Sequence, residues 1–170
     1  MKPARDQSFA FLRRNQVFQD LTDEEIALLL RLTTQRDFPA GAKVMQEGEM
    51  GESMFLLSSG QVEVSKRLLL EIAAEAPREK VMTRLSAEVG VVLGEMAVID
   101  KEVRSATVTT LTPCSMLELS RQNFQEILQT YPVMGVKILL GLARLLCQRL
   151  RQSGEEIIKL TTALAIALEA

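Results

Sequence analysis

The middle of the chain consists of short apolar or alternating runs that glycine and proline interrupt at turn-like intervals. MFLLSSGQVEV and SATVTTLTPCSMLEL are two such runs, in a zone from about Phe38 to Leu119. Short runs with a period of two residues, bounded by turn residues, are typical of β-strands. The sequence therefore predicts many short strands that form a sandwich, barrel or jelly roll.

A helical pattern precedes this strand zone. From about Asp6 to Thr34 the apolar residues recur at helical spacing. Within it, LTDEEIALLLRL holds a capping box, in which Thr22 is the N-cap and Glu25 follows three residues later, ahead of an apolar run. The sequence predicts that a helix starts there.

Helix is also predicted after the strand zone. RQNFQEILQTYP follows Ser120 as one helix that ends before Pro132, and a long helical run then continues to Ala170. One stretch inside the strand zone is ambiguous. In KRLLLEIAAEAPREK, Leu68, Leu70 and Ile72 alternate as in a strand, whereas EIAAEA has good helix propensity, so both conformations stay open.

The chain has 170 residues, of which 47% are hydrophobic, enough for one sizeable core and too few for two domains. We expect a single domain over 1–170, with N-terminal helices over 1–36, the strands over 37–119 and C-terminal helices over 120–170. Lys and Arg number 20 against 22 Asp and Glu, a net charge of -2. No global positive field therefore attracts the chain to nucleic acid or to an anionic membrane.

Histidine is absent from the sequence. Its absence excludes histidine-based acid-base catalysis, histidine-containing triads and the commonest metal ligand. The sequence also offers no metal-ligand cluster and no activated nucleophile. We therefore expect no enzyme, no metal site and no cofactor.

Cys114 and Cys147 lie on a strand-like and a helix-like segment, without CxxC or zinc spacing, which predicts two buried, reduced thiols. The N-terminal MKPARDQSFA lacks the apolar core of a signal peptide. No apolar run approaches the roughly 20 residues that span a bilayer. These features predict a soluble, cytoplasmic protein without a membrane partner.

Glycines mark the turns of the strand zone. In FPAGAKVMQEGEMGESMFLLSSGQVEV, Gly41, Gly48, Gly51 and Gly60 fall between apolar pieces, where the chain needs a tight turn or a positive φ. Together with GEMA and RSA farther along, this order resembles the cyclic nucleotide-binding domain family over roughly Phe18 to Leu150. Its members include the catabolite activator protein, the regulatory subunits of cyclic-AMP-dependent kinase and gated channels.

The resemblance implies an α+β fold, in which an antiparallel β-roll or jelly roll, a double-stranded β-helix, is flanked by N-terminal helices and a long C-terminal helix. It also implies a phosphate-binding cassette over 93–108. The predicted ligand-binding residues of this cassette are Gly94, Glu95, Met96, Ala97, Arg104, Ser105 and Ala106.

These residue types suit a cyclic mononucleotide, cAMP or cGMP. An arginine is always charged and its planar fork matches two phosphate oxygens, so Arg104 is the predicted counterion of the phosphate. An ionised Glu95 only accepts hydrogen bonds, so it suits the ribose 2'-OH and repels a second phosphate. Gly94 lets the backbone come close, the N–H groups of a short helix point at the phosphate, and Ser105 can add a hydroxyl contact.

The alternative is a structural ion pair, in which Glu95 and Arg104 neutralise each other and no ligand enters. The base is also undecided, because a hydroxyl residue such as Ser105 accompanies cGMP in some relatives and cAMP in others. QRLRQSGEE resembles the stretch that closes off the base in the bacterial activator, which makes Ser153 the candidate base contact. From the residues alone, Ser153 and Gly154 also fit a helix break.

Ten residues of the last helix, most of them apolar, keep alternating spacings of four and three, the a/d signature of a coiled coil. They are Val136, Leu140, Ala143, Cys147, Leu150, Gly154, Ile157, Thr161, Leu164 and Leu168. A long uncovered stripe seldom stays in water, so we predict a homodimer through this helix. A second stripe, Leu139, Leu142 and Leu146, is expected to pack on the body. In the other interpretation, the whole helix folds back onto one core.

The resemblance implies a regulatory module that transmits cAMP or cGMP binding through its C-terminal helices to an unknown downstream protein. Transcription factors of this fold continue into a helix-turn-helix where this sequence stops, at Ala170, so no direct DNA binding is expected. The alternative function is a nucleotide-free, dimerising scaffold that retains the fold. Arg104 discriminates between them, because it is exchangeable with a ligand in the first case and locked to Glu95 in the second.

Overall fold

The computed structural model describes residues 2–67, 79–100 and 102–169. Its α-helices are α1 (Lys2–Arg14), α2 (Asp23–Leu32), α3 (Glu95–Asp100), α4 (Arg121–Thr130) and α5 (Pro132–Glu169). Its strands are β1 (Thr34–Phe38), β2 (Lys43–Met45), β3 (Ser53–Ser59), β4 (Gln61–Arg67), β5 (Glu79–Ser86), β6 (Val92–Leu93), β7 (Thr107–Thr110) and β8 (Cys114–Ser120). A short 3₁₀ helix, Ala87–Val89, precedes β6.

The strands form two antiparallel four-stranded sheets, with the orders β1-β8-β3-β6 and β2-β7-β4-β5. One buried cluster, which includes Phe55 and Leu57 of β3 and Val62 of β4, fills the space between the sheets. Helices α1 and α2 come before the roll, and α4 and α5 follow it. The predicted fold, an antiparallel β-roll between N-terminal helices and a long C-terminal helix, is confirmed.

Strand β3 separates two cores. Met54 and Leu56 pack into the cluster shared with the helices, whereas Phe55 and Leu57 pack into the interior of the roll. A strand that is covered on both faces needs apolar residues at every position. The uninterrupted run MFLL therefore marks the central strand between the helical layer and the roll.

The helical layer covers the outer face of the sheet that contains β3 and β8. Its fully buried members are Leu12, Phe18, Ile26, Leu29, Ile127, Ile138 and Leu142, together with Met54, Leu56 and Leu119 of the sheet. Each such side chain contributes about 1.5–3 kcal/mol when it leaves water. The helices are thus part of the main core, and they cannot detach from the sheet without exposing it.

Local signals place the ends of several helices. The N-cap Thr22 accepts a hydrogen bond from the backbone N–H of Glu25, and the Glu25 carboxylate accepts one from the N–H of Thr22, which confirms the capping box. Ser120 caps α4 in the same way, by accepting from the N–H of Asn123 at 3.1 Å. Helix α4 ends at Thr130, before Pro132, as predicted.

Helix α5 packs on the body through its first half only. Gly141 lies so close to the N-terminal region that a Cβ there would come within 2.1 Å of the Val17 carbonyl oxygen, so no other residue fits. The body-facing stripe is Met134, Ile138, Leu142 and Leu145. Of the predicted second stripe, Leu142 is buried and Leu146 half-buried, but Leu139 is exposed, because the true stripe is offset by one residue.

One further prediction is wrong, and one alternative that the sequence left open is excluded. Cys114 is buried in β8 as predicted, but the prediction of a buried Cys147 is wrong, because this residue lies on the outward face of α5; both thiols are free. The helix is continuous through Gly154, so the helix break is excluded. The ambiguous stretch begins and ends as strand, in β4 and β5, and Leu68, Leu70 and Ile72 lie outside the described residues.

Candidate functional site

The cassette begins at a glycine turn. Gly94 follows β6 with a φ of 70°, in the left-handed region that favours glycine, and α3 starts with the next residue. A Cβ on Gly94 would lie 2.3 Å from Nη1 of Arg104. Glycine is therefore required at position 94 for two reasons: the turn has a positive φ, and the guanidinium of Arg104 comes too close for a side chain.

Arg104 lies beneath this turn and is only 7% exposed. Its Nη1 donates to the carbonyl oxygen of Gly94 at 3.2 Å, and its Nη2 lies 3.5 Å from the hydroxyl oxygen of Ser53. Its backbone is held by Gly48 and Glu49, with N–H to O distances of 2.9 and 2.8 Å. Among the described residues, no carboxylate forms a salt bridge with Arg104.

Burial lowers the pKa of the Arg104 guanidinium below its ordinary value, because desolvation disfavours the charged form. Glu118, Glu49 and Glu95 raise the pKa in part, and the nearby Arg121 lowers it further. An arginine keeps its charge under these conditions. The site therefore holds a buried positive charge whose closest hydrogen-bond acceptors are neutral.

Glu95, the first residue of α3, is 3% exposed. Its Oε1 accepts from Nη1 of Arg149 on α5 at 2.6 Å, and Nη2 of the same arginine donates to the carbonyl oxygen of Val92 at 2.7 Å. Glu95 and Arg104 form no salt bridge with each other. The alternative of a structural ion pair between these two residues is therefore wrong, because Arg149 takes the carboxylate instead.

The other predicted site residues lie around these charges. Ala97 is buried against the turn before β3, and a Cβ on Gly51 would come within 2.5 Å of its methyl group. Met96 and Ser105 are exposed neighbours, with 4.0 Å between the Ser105 hydroxyl and the Met96 sulfur. Ala106 is half-buried. The structure thus brings together all seven predicted residues of the cassette.

Ser153, the predicted base contact, lies on α5 one turn after Arg149 and is exposed. It belongs to the part of α5 that extends past the body. No described hydrogen bond fixes its hydroxyl group.

A further arginine connects the cassette to the C-terminal helices. Arg121, the first residue of α4, donates through Nη2 to the carbonyl oxygens of Gly51 and Ala97, at 3.1 Å for Gly51. Its Nε is buried and has no hydrogen-bond partner. Arg121 thus holds the turn before β3, helix α3 and the start of α4 together.

A separate cleft of about 830 Å³ lies away from the cassette. It is lined by the end of α1, the turn between β3 and β4, and the 3₁₀ helix. Its buried polar residue, Asn15, already donates to the Gly90 carbonyl and accepts from the Val17 N–H. The cassette, with its unbalanced buried charge, is therefore the stronger candidate for a ligand site.

The described ranges contain neither a metal-ligand cluster nor a membrane-spanning helix. No group of three or more His, Cys, Asp or Glu side chains in them is placed to hold a metal ion. No helix in them is both long enough and apolar enough to cross a membrane.

The family model described as cyclic nucleotide-binding domain matches residues 35–131, more than half of the chain. The chain belongs to the cyclic nucleotide-binding domain family. The match contains the whole cassette and the roll around it, from β1 to α4. Arg149 and Ser153 lie beyond it.

Known members of the family align over most of the domain. The cyclic AMP receptor protein of Thermus thermophilus is 26% identical over 86% of this chain and 62% of its own length. Glutaminase 2 of Bradyrhizobium diazoefficiens is 34% identical over 77% of this chain, but over 19% of its own length. The chain thus spans about a fifth of the length of one of these two curated relatives and about three-fifths of the other.

Solved structures of the family have the same fold. A cyclic nucleotide-binding domain from Methylobacillus flagellatus has a TM-score of 0.77 and 26% identity, over 90% of this chain and 82% of that one. The catabolite activator protein of Thermus thermophilus has a TM-score of 0.73 and 26% identity, over 86% and 63%. These values agree with the β-roll and its flanking helices.

The sequence did not single out Arg149 or Arg121 of this cyclic nucleotide-binding domain. A signal for Arg149 existed, because the buried stripe of α5 continues at helical spacing from Leu142 and Leu145 to Arg149. A charged residue at the end of a buried stripe needs a partner on the body. For Arg121 there was no comparable signal, since it occupies an ordinary first position of a helix.

Proposed function

We propose that this domain binds a cyclic mononucleotide, cAMP or cGMP, and that it is a regulatory module without catalytic activity. The observation that carries the proposal is Arg104, a buried guanidinium beside a glycine turn with no carboxylate partner among the described residues. A buried charge of this kind is costly unless it is paired. The phosphate of a cyclic nucleotide is a singly charged anion that two N–H groups of the arginine can bind.

Glu95 supports the choice of a cyclic nucleotide over other anions. Its Oε1 is used by Arg149, and no described hydrogen bond uses Oε2. A carboxylate oxygen accepts a ribose hydroxyl but repels a second phosphate group. A cyclic monophosphate satisfies both residues, whereas ATP would bring further negative charge toward Glu95.

Relatives named for cAMP and relatives named for cGMP both align with this chain, so the comparisons do not identify the base. The Thermus thermophilus relative is named a cyclic AMP receptor protein, and a Caenorhabditis elegans relative, 29% identical over 69% of this chain and 14% of its own length, is a cGMP-dependent protein kinase. Ser105 fits either base. We therefore propose binding of a cyclic nucleotide as a class, with Ser153 as the residue that faces the base.

The contacts of the cassette with the C-terminal helices support the proposed transmission of the signal. Arg149 joins Glu95 to α5, and Arg121 joins α3 to α4. A ligand that reaches Glu95 competes with or strengthens the Arg149 contact. It shifts the position of α5 only to the extent that it binds one arrangement more tightly than the other. The downstream protein would respond to that shift.

The outward stripe of α5 supports the proposed homodimer. Val136, Leu140, Leu150, Ile157, Leu164 and Leu168 are between 50% and 78% exposed. These are the a/d positions of the predicted coiled coil, and they lie on the face of α5 that is turned away from the body. A second copy of the same helix would cover them.

The second candidate function is a nucleotide-free, dimerising scaffold. One observation favours it, since Arg149 already neutralises Glu95 without a ligand. Under this interpretation the buried charge of Arg104 is held only by Gly94, Ser53 and the surrounding carboxylates.

Isothermal titration with cAMP and, separately, cGMP tests the binding proposal, with 5'-AMP as the control. We expect saturable binding of one or both cyclic nucleotides and none of 5'-AMP, because 5'-AMP carries an extra negative charge. Absence of heat with both cyclic nucleotides up to millimolar concentration would reject the sensor and favour the scaffold.

Oxidation of the free thiols tests the homodimer. Cys147 is exposed on the predicted seam and Cys114 is buried, so only Cys147 is available for a disulfide between two copies. We expect a cross-linked dimer on mild oxidation and none in Cys147→Ser. A monomer in sedimentation equilibrium under reducing conditions would contradict the dimer.

A further inference from the structure

Four large apolar side chains are exposed on the outer surface of the cassette and of the turn before β3. They are Met50, Met96, Ile99 and Val103, with exposed fractions of 67%, 45%, 45% and 46%. We refer to these four residues as the apolar patch. Single exposed apolar residues are normal on a protein surface, whereas a contiguous group of them marks a site of interaction.

The four residues of the apolar patch are contiguous. Met50 and Val103 are directly opposite each other in an antiparallel bridge, so their side chains lie side by side. Val103 and Ser105 are alternate residues, and both are exposed while the residue between them is buried, as in extended backbone. The Ser105 hydroxyl lies 4.0 Å from the sulfur of Met96, and Ile99 is one turn farther along the exposed face of α3.

Acidic side chains surround the apolar patch. Four exposed carboxylates lie within two residues of a patch residue in the chain: Glu49, Glu52, Asp100 and Glu102. Lys101 is the only basic residue of the segments 46–53 and 96–103. The outer surface of the cassette thus combines an apolar centre with a negatively charged rim.

The charge of the rim decides what can cover the patch. Nucleic acid and anionic membranes carry charge of the same sign and are repelled. A second copy of this surface would bring two acidic rims together, so the surface is not self-complementary. The segment 68–78 of the same chain has two Glu against one Arg, so it offers no positive complement either. The surface fits a partner with apolar groups at its centre and cations around them.

We propose that this surface is a docking site for a basic amphipathic segment of a partner protein. Apolar side chains of that segment cover the patch, and its Lys or Arg side chains pair with the rim, in the usual arrangement of an apolar core and a polar rim. Two of the four patch residues are methionines, whose flexible thioethers adapt to the shape of a partner. The proposal does not rest on nucleotide binding or on the homodimer, because the patch and its rim are complete in one chain.

The docking site lies directly above the buried arginine of the cassette. Val103 precedes Arg104, and the N–H of Arg104 donates to the carbonyl oxygen of Glu49 at 2.8 Å. Glu49 in turn precedes Met50 in the chain. A partner on the patch therefore contacts the two backbone segments that hold Arg104 in place.

Fluorescence anisotropy of the full chain with a labelled helical peptide tests the proposal. The peptide has Leu on one face and Lys on the other. The test variant is Met50→Gln/Ile99→Gln, which replaces two patch residues by neutral polar side chains. We expect saturable binding to the wild type and an affinity about tenfold lower in the variant, because a few central contacts carry most of the binding energy of an interface. Neither cyclic nucleotide is present, so the result is independent of nucleotide binding.

The matched control is Val81→Gln/Met82→Gln on β5. These residues are 46% and 48% exposed, but Lys80 and Arg84 flank them. The control should bind the Lys peptide as tightly as the wild type does. The same peptide with Glu in place of Lys should bind the wild type at least about tenfold more weakly, because its charges repel the rim. Circular dichroism and urea denaturation verify that the variants are folded.

A second test variant, Asp100→Asn/Glu102→Gln, removes two rim charges and leaves the apolar patch intact. Its affinity for the Lys peptide should fall by about threefold and depend less on salt, because exposed ion pairs are weak and screened.

Four results would overturn the docking site. The first is no binding of the Lys peptide to the wild type up to millimolar concentration, and the second is equal binding of the Lys and Glu peptides. The third is an affinity of Met50→Gln/Ile99→Gln equal to that of the wild type. The fourth is a loss of affinity in the β5 control as large as that in the test variant, which would place the peptide elsewhere.

Discussion

Glu95 and Arg104 lie at opposite ends of the cassette and are both almost fully buried, yet their charges are balanced in different ways. The carboxylate of Glu95 has a cationic partner in Arg149, at 2.6 Å. Arg104 has a carbonyl oxygen and a distant hydroxyl as its described partners, while the carboxylates near it act only through space. Glu95 thus has an ionic partner within the fold, whereas Arg104 has none among the described residues.

The comparison separates two roles within one short motif. A substitution at a residue whose charge is paired within the fold should mainly change the free energy of unfolding. A substitution at a residue without an ionic partner in the fold should mainly change the affinity for a ligand. Substitutions at the two ends should therefore affect different measurements.

The largest effect is expected for Arg104→Ala. Loss of the charge-assisted partner of a desolvated phosphate should weaken cyclic nucleotide binding by about 2–5 kcal/mol. Isothermal titration measures this loss. Arg84→Ala is the control, because Arg84 is an exposed arginine that pairs with Glu63 on the β4–β5 hairpin. Equal affinities of Arg104→Ala and the wild type would show that the buried charge does not serve a ligand.

Next in size is Arg149→Ala, whose effect should appear in stability. The substitution leaves the buried Glu95 carboxylate without its cation, which should lower the free energy of unfolding by about 1–3 kcal/mol. The lower part of this range is expected because 38% of the Arg149 side chain is exposed. Urea denaturation measures the change. Arg151→Ala is the control, because Arg151 is exposed and lies two residues farther on, and it should change the free energy of unfolding little. Similar losses in both variants would show that the ion pair of Arg149 with Glu95 does not specifically stabilise the fold.

Gly94→Ala should combine both effects. A positive φ costs a non-glycine residue about 1–2 kcal/mol of stability. Gly41→Ala is the matched control, because Gly41 has a φ of 79° but open space around its Cβ position. We expect similar losses of stability in the two variants and a loss of nucleotide binding only in Gly94→Ala, where the methyl group displaces Arg104. Unchanged binding in Gly94→Ala would mean that the guanidinium can move without consequence.

The smallest effect on binding is expected for Glu95→Gln. The amide oxygen still accepts a hydrogen bond from the ribose, but without charge assistance, so binding should weaken by about 1 kcal/mol. Titration of this variant beside Arg104→Ala gives the comparison directly. If Glu95→Gln loses as much affinity as Arg104→Ala, Glu95 contributes as much to ligand binding as Arg104 does, despite its ion pair with Arg149.

Features that depend on neighbouring residues could be predicted from the sequence. The capping box of Thr22 and Glu25 is a local pattern, and so is the helix that ends before Pro132. The glycine turn at Gly94 and the short helix after it were also predictable, because a left-handed turn and an approaching side chain both demand glycine. The resemblance carried by the glycines and the cassette gave the fold.

Features that depend on distant residues could not be predicted. Arg149 follows Glu95 by 54 positions, and Arg151 offers the same side chain nearby. The choice between them depends on which face of α5 meets the cassette. The same uncertainty placed Leu139 on the body, because a shift of one residue rotates a helical face by about 100°. Such rotations are decided by packing, here by the contact of Gly141 with Val17.

That contact between Gly141 and the Val17 backbone is also a point about which α5 can tilt, here called the fulcrum. The backbone of the helix lies close to the body there, and from Gly141 to its last described residue, Glu169, it continues for about 42 Å. On an arm of that length, a tilt of roughly 5° at the fulcrum displaces the far end by about 4 Å, with 1.5 Å of rise per residue. The same tilt displaces the helix much less beside the cassette than at Glu169, where the displacement is about three-quarters of the 5.4 Å pitch of a helical turn.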